Sequence, residues 1–295
     1  MVSIVIINYN TFQLTCQCIE TVIQYTQKVD YEIILVDNAS QEEDPTLFKD
    51  KFPQIQLIKS DTNVGFAKGN NLGIAKAQGD YVLLLNSDTK LTENSIRICL
   101  DKLLTQEKIA VTAPQLIYPN GQYQPIANRF PSIRYELTET FRLHKLLGAK
   151  SLMGFYFNHQ QETYTDWVWG AFFLIKREVI RQLPNQKLPD DFFMYFEDVQ
   201  WCYQIKKLGY QILFTPSTSV IHYGSASTPN TENTFQRIKK ILPNETSFFL
   251  QEKGWLYTKL LYLSRAFKYL TLRKKHFVDL SKFYFKYFWY LKINE

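Results

Sequence analysis

Carboxylates at the ends of apolar runs set the chemistry open to this chain. Asp88 follows Tyr81-Val82-Leu83-Leu84-Leu85 through Asn86-Ser87. A continuous aliphatic run predicts a strand buried on both faces of a parallel sheet, and such sheets bind ligands beyond their carboxyl ends. An aspartate placed there can hold a hard divalent cation through oxygen; alone, it serves equally as a turn or helix cap. Glu197-Asp198 opens an amphipathic helix, where a carboxylate is a cap and dipole partner or a base aimed at a substrate hydroxyl. His222 closes an apolar strand before Tyr223-Gly224, a place for a structural histidine or for a neutral imidazole ligand. Between them, Asp61 to Gly73 is a Gly/Asn-rich loop entering a helix. Such a loop presents free N–H groups to phosphate or ribose, or merely turns the chain and caps the helix.

The elements that must position these groups alternate. Residues 2–8 read as a strand and 10–27 as a helix, and Tyr31 to Val36 as a strand ending at Asp37. A short helix near 43–50, a strand at 55–59, a helix over 67–78, the strand 81–86 and a helix over 92–105 follow. Strands separated by helical patterns predict βαβ units and a mostly parallel α/β sheet flanked by helices. Parallel strands bring Asn8-Tyr9-Asn10, Asp37-Asn38 and Asn86-Ser87-Asp88 to one edge. Residues 112–135 carry five Gly and Pro residues and read as loop; 136–165 lack a period and read as a mobile or acceptor-facing insert. Trp167 to Ile175 reads as a strand, and Tyr210 to Phe214 and Ser219 to His222 as two closing strands. Neither a G-x-x-x-x-G-K-[ST] loop nor a G-x-G-x-x-G after the first strand occurs, which argues against a P-loop enzyme and a dinucleotide binder.

The 295 residues allow one large α/β domain with an appendage, and 45% hydrophobic against 21% charged residues fits an ordinary globular core. Cys16, Cys18, Cys99 and Cys202 have no paired spacing and read as buried thiols in a reducing compartment. The chain enters a strand at once, without the pattern of a signal peptide, and no run is long and apolar enough to span a bilayer. A cytoplasmic location is therefore expected. Charge is unevenly spread: residues 255–295 hold nine Lys/Arg against two acids, so this segment carries +7 and the remainder −1 of the net +6. Its cations interleave with Trp255, Tyr257, Tyr262 and the cluster Phe283 to Tyr290. That pattern suits a helix on an anionic membrane surface at the inner face of the cell membrane, or a helical subdomain packing on the core or on a second chain. Nothing else in the chain points to nucleic acid.

Seven motifs in order resemble the family 2 inverting glycosyltransferases of GT-A fold, closest to the rhamnosyltransferase-like branch of cell-surface polysaccharide assembly. They are Val2–Asn10, Val36-Asp37-Asn38-Ala39-Ser40, Asn63-Val64-Gly65-Phe66-Ala67 with Gly69-Asn70-Asn71, Leu84 to Thr89, Trp169-Gly170-Ala171-Phe172, Phe192 to Val199, and His222-Tyr223-Gly224. The resemblance covers residues 1–225 and puts the catalytic domain at 1–228 and a helical region at 229–295. It implies Asp37 on the nucleotide base of a sugar donor, with Asn8 and Asn10 lining that pocket. Asn63, Gly65, Lys68, Asn70, Asn86, Ser87, Trp169 and Gly170 complete the implied donor site. Asp88 would hold Mg²⁺ or Mn²⁺ on the diphosphate, with His222 completing the metal site. Asn86 stands where the family's D-x-D-like motif has its first carboxylate, so one charge is missing. Asp198 would be the base, with Glu197 beside it. The implied donor is dTDP-rhamnose, and the implied acceptor a saccharide or polyprenyl-linked saccharide. The rivals are a sugar nucleotidyltransferase, which would need a glycine-rich basic loop where Asn8-Tyr9-Asn10 stands, and a non-catalytic membrane-docked scaffold.

Overall fold

The structure is a computed structural model describing residues 1–224, 234–272 and 275–291. In chain order the elements are β1 Val2–Asn8, α1 Phe12–Tyr25, β2 Tyr31–Asp37, α2 Leu47–Lys51, β3 Gln56–Lys59, α3 Phe66–Ile74, β4 Tyr81–Asn86, β5 Thr89–Leu91, α4 Ser95–Leu103 and β6 Ile109–Ile117. Then come α5 Ile133–Thr140, α6 His144–Leu147, β7 Thr163–Thr165, β8 Phe172–Lys176, α7 Arg177–Gln182, α8 Glu197–Lys207, β9 Gln211–His222, α9 Thr234–Thr271 and α10 Lys275–Tyr290. The chain divides into two compact units: Met1–Ala127 with Asn158–Asn230, and Asn128–Phe157 with Thr231–Glu295.

The first unit is α/β. Its sheet runs β3-β2-β1-β4-β8-β6-β9-β5, with β7 also on β9. Strands β1 to β4 pair in parallel, as their aliphatic runs predict, and every residue of β4 from Val82 to Leu85 is buried. Beyond β4 the sheet becomes mixed: β8 is antiparallel to both β4 and β6, while β6 and β9 are parallel. The antiparallel β8 starts at the edge where its parallel neighbours end, so the loop before it joins the polar strand termini; Asn86 N donates to the Ala171 carbonyl at 2.9 Å.

Two sequence expectations need correction. Residues 109–117, read from 112 onward as loop because of Pro114, form the interior strand β6. Pro114 is tolerated because β8 pairs with β6 only at Val111 and Thr112, so no ladder bond there requires its missing N–H. Across from it, the two closing strands expected at 210–214 and 219–222 are one strand, β9, interrupted by a bulge where the register jumps from Thr215 to Ser219.

The second unit is helical. Residues 128–157, which take in the end of the stretch read as loop and most of the aperiodic insert expected at 136–165, cluster with the C-terminal helices, α5 packing on α9, whereas 158–165 belong to the first unit. Helix α9 is broken at Gly254, whose φ of +81° belongs to the left-handed side that glycine enters without penalty. Its second half packs on α10 through Tyr262, Tyr269 and Tyr284; the last two rings stack 5.7 Å apart, 6° from parallel. Arg265 and Lys268, two of the nine tail cations, are buried. Arg265 Nε donates to Glu136 Oε1 at 2.8 Å and Nη2 to Glu245 Oε1 at 2.8 Å. Lys268 Nζ donates to Glu136 Oε2 at 2.7 Å and to Glu139 Oε2 at 2.8 Å. Among the described residues no helix is long and apolar enough to cross a membrane.

Candidate active site

Asn8 ends β1 opposite Asp37 at the end of β2. Its Nδ2 donates to Asp37 Oδ1 at 2.8 Å and to Ser40 Oγ at 2.9 Å, while its Oδ1 accepts from Thr15 Oγ1 at 2.8 Å. Ser40 N donates to the other carboxylate oxygen of Asp37 at 3.1 Å. The buried Asp37 is thus held in one orientation by neutral donors. Asn10 is exposed, with a φ of 53°, and its Oδ1 accepts from Gln41 N at 2.8 Å, pinning the two edge loops together. Thr11 shares a hydrogen bond of 3.1 Å with Ser87 across the same edge.

The Gly/Asn-rich loop is fastened from behind. Asn38 Nδ2 donates to Asn63 Oδ1 at 2.8 Å, and Val64 N donates to Asn38 Oδ1 at 3.0 Å. Gly65 has φ +84°, and a Cβ there would sit 2.3 Å from the Phe193 carbonyl oxygen. Only glycine allows that approach, and the next amide, Phe66 N, donates to the same carbonyl at 2.9 Å. The loop that resembles a donor site and the segment leading to Asp198 are therefore stitched backbone to backbone. Lys68 is exposed on the first turn of α3, whereas the Asn70 amide turns inward and donates to the Phe66 carbonyl at 3.0 Å. Gly170 lets Phe66 and Trp201 close over the backbone, where a Cβ would meet them at 3.1 and 3.4 Å.

Asp88 and His222 meet although they lie on different elements. The turn after β4 carries Asp88 into β5, whose Thr89 pairs with His222 of β9, and Tyr223 N donates to the Asp88 carbonyl at 2.9 Å. His222 Nε2 stands 3.4 Å from Asp88 Oδ1. A residue that sequence reasoning missed fixes the imidazole: Gln124 Nε2 donates to the His222 carbonyl at 2.7 Å, which aims Gln124 Oε1 at His222 Nδ1, also 2.7 Å away. A carbonyl oxygen accepts only, so Nδ1 carries a proton, and in the neutral ring Nε2 is the nitrogen left to accept or to ligate on the side of the carboxylate. The edge of Trp169 covers the ring, with centroids 6.4 Å apart. Asn86 adds a buried Oδ1 that has no hydrogen-bond partner.

An imidazole nitrogen and a carboxylate oxygen this close form an electron-rich pair that fits a divalent cation, and the Asn86 amide Nδ2 lies 3.5 Å from the same nitrogen. At 3.4 Å, Nε2 and Oδ1 are close enough to share one ion at bond lengths of about 2.0–2.2 Å. Among the described residues no group of three His, Cys, Asp or Glu side chains forms a cation cage. A metal here would need ligands from its substrate, the usual way of Mg²⁺ in phosphate chemistry.

Glu197 and Asp198 begin α8 directly after two consecutive left-handed residues, Tyr195 at φ 71° and Phe196 at φ 77°. Non-glycine residues in this region cost on the order of 1–3 kcal/mol each and persist where surrounding contacts over-determine them. Here Trp201 Nε1 donates to the Pro189 carbonyl at 2.7 Å and Gln200 Nε2 to Asp191 Oδ2 at 2.8 Å, tying the segment to its helix. Asp198 is half-buried, and its Oδ1 accepts from Val199 N at 2.8 Å. Glu197 is buried with Oε2 unpartnered; desolvation first, and the neighbouring Asp198 charge second, push its carboxyl up to about 8. Burial thus favours the neutral form of Glu197.

A sequence profile for the family described as glycosyl transferase family 2 matches residues 3–183. An N-acetylglucosaminyl-diphospho-decaprenol L-rhamnosyltransferase of Mycobacterium tuberculosis is 23% identical over 221 residues, spanning 66% of this chain and 67% of the relative. Among solved structures, GalNAc-T7 with UDP, GalNAc and Mn²⁺ superposes with a TM-score of 0.63 at 18% identity, covering 98% of this chain and 54% of its own. The mannosyltransferase PcManGT of Pyrobaculum calidifontis, in complex with GDP-Man and Mn²⁺, gives 0.59 at 15%, covering 97% and 74%. The chain thus spans about half of the GalNAc-T7 chain, and both likenesses establish the fold alone. With its GT-A sheet and the profile match over most of that sheet, the chain belongs to glycosyl transferase family 2.

Proposed function

We propose that the chain transfers a hexosyl group, rhamnosyl foremost, from a nucleoside diphosphate donor to a hydroxyl of a saccharide or polyprenyl-linked saccharide, with inversion. The observation that carries this reading is the Asp88–His222 pair, whose Gln124-fixed lone pair and carboxylate form half of a cation site beside the Asn8–Asp37 edge. Mg²⁺ or Mn²⁺ would be held by Asp88 and His222 and would neutralise charge on the departing diphosphate. Asp37, oriented by Asn8 and Ser40, accepts hydrogen bonds from the base of the nucleotide. Gly65 keeps the Asn63–Lys68 backbone close to the donor, and Asn86, Ser87, Trp169 and Gly170 line the sugar side. Asp198 takes the proton of the attacking hydroxyl. Glu197, neutral, avoids a second charge beside it. One displacement from the opposite face inverts the anomeric carbon without a covalent intermediate. The mycobacterial relative's lipid-linked saccharide supports the acceptor class, and with it a site of action at the inner face of the cell membrane.

Asp198→Asn tests the assignment while keeping side-chain size and the contact with Val199 N. We expect kcat to fall at least about 10²-fold with donor affinity and melting temperature unchanged. Retained turnover would move the base elsewhere. Thermal shift with dTDP-rhamnose and other nucleotide sugars plus Mn²⁺ identifies the donor, since a ligand at 100 times its Kd stabilises by about 2.7 kcal/mol.

A further inference from the structure

Residues 141–157 form an anchored excursion in the second unit. Leu152 and Met153 are fully buried, Met153 bridges to Asn128, and Arg129 Nε donates to the Lys150 carbonyl at 3.0 Å. The His144 ring packs 4.7 Å from that of Tyr156, whose hydroxyl donates to Glu139 Oε1 at 2.9 Å, so the two arms of the excursion are clasped together. What this base presents is unusual for a surface. Leu146 is 86% exposed and Phe155 91%, with Phe141 and Leu147 at 60% each. Singly scattered apolar side chains are normal on a soluble protein, whereas several on one short segment mark a contact surface.

Charge selects the partner. The segment 141–157 contains Arg142, Lys145 and Lys150 and no Asp or Glu. All three cations are exposed. Apolar tips among cations, without acids, suit the headgroup layer of an anionic bilayer, where insertion and charge attraction add. The C-terminal helices offer less than their composition suggests: Arg265 and Lys268 already face Glu136, Glu139 and Glu245, and Tyr262 and Tyr284 are buried, leaving Trp289 and Tyr290 as their most exposed aromatics.

We propose that this excursion, rather than the basic tail, docks the protein on an anionic membrane, with Leu146, Leu147 and Phe155 entering the headgroup layer and Arg142, Lys145 and Lys150 meeting lipid phosphates. The inference stands on the exposed segment and does not depend on the transfer reaction. It is tested by flotation of the full-length protein with phosphatidylglycerol–phosphatidylcholine vesicles and with phosphatidylcholine vesicles, at low salt and at about 1 M, where the Debye length shrinks to about 3 Å. The wild type should float with the anionic vesicles at low salt and much less at high salt. Leu146→Glu with Phe155→Glu should lower partitioning at least about tenfold at unchanged melting temperature, while Lys282→Glu in the tail changes it less than twofold. Because the four native cysteines are buried, Leu146→Cys can be labelled with an environment-sensitive dye, whose emission should shift to the blue on anionic vesicles only. Failure of the wild type to float, or wild-type partitioning of the double variant, overturns the proposal. So does a double variant that changes only the mass of the protein in solution, which would make the patch a contact between copies.

Discussion

Glu136 and Glu197 are both buried glutamates in the first turn of a helix, and the protein treats them in opposite ways. Burial would raise Glu136, but Arg265 and Lys268 outweigh it and hold the carboxyl below its usual range. Each of its oxygens has a cationic donor. Glu197 has no such cation, keeps one oxygen without a partner and sits beside a second carboxylate, so it is pushed up to about 8. The first is a closed account of charge. The second is an open one, and buried groups left unpaired in this way gather at functional sites. The difference separates a network that holds a helical unit together from a buried carboxyl whose surroundings favour its neutral form.

The comparison breaks most visibly at Arg265. Arg265→Met should destabilise the second unit by about 3–5 kcal/mol, because it strands the Glu245 carboxylate and half of Glu136 in a buried setting. Chemical denaturation of the full chain reads this, and a loss below about 1 kcal/mol would mean the cluster is held by something other than its charges. A smaller effect is expected at the other pole. Gln124→Ala should weaken Mn²⁺ binding in the presence of a nucleoside diphosphate about 10–100-fold in calorimetry, by freeing the tautomer of His222. Unchanged affinity would remove Gln124 from the site.

The most diagnostic effect is a pH slope. Between the usual 4.5 and about 8 the folded protein keeps the Glu197 proton that the unfolded chain gives up. This residue therefore makes stability fall as pH rises through that window, by up to about 1.4 kcal/mol per pH unit. Glu197→Gln should leave the melting temperature near wild type at pH 5 and raise it increasingly towards pH 8. Glu136 acts with the opposite sign: its depressed carboxyl contributes stability above about 4.5 that is lost as pH falls. Parallel melting curves for Glu197→Gln and wild type at pH 5 and pH 8 would refute the assignment of the buried proton.

The first half of the sheet was legible because its strands are buried on both faces, and β1, β2 and β4 lie where their aliphatic runs put them. Legibility failed where two rules compete. Pro114 argued for loop, yet β6 passes it through the stretch where β8 makes no pairing demand. The two closing strands read at 210–214 and 219–222 are continuous in the structure, where Pro216 falls in the bulge between Thr215 and Ser219. The site residues expected at strand ends, Asn8, Asp37, Asn86 and Asp88, do gather at one edge, because parallel topology alone decides that. Gln124 could not be found this way: a glutamine in a Pro/Gly-rich stretch carries no signal until its partner is known. Nor did the tail's composition show that Arg265 and Lys268 would meet carboxylates from residues 136–139 and 245, contacts set by packing and not by local pattern.

The Asp88–His222 pair depends on the last strand of the sheet, with 136 residues separating His222 from its other neighbour Asn86. Such a contact comes late in folding, since closing so long a loop must precede any reward from the pairing. During synthesis β6 emerges with an edge that β9 covers, and until it does Asp88 lacks its His222 neighbour. Affinity for a divalent ion would thus report that the sheet has been completed, so a nascent or truncated chain lacking residues 211–222 should neither bind metal nor be protected by it from proteolysis.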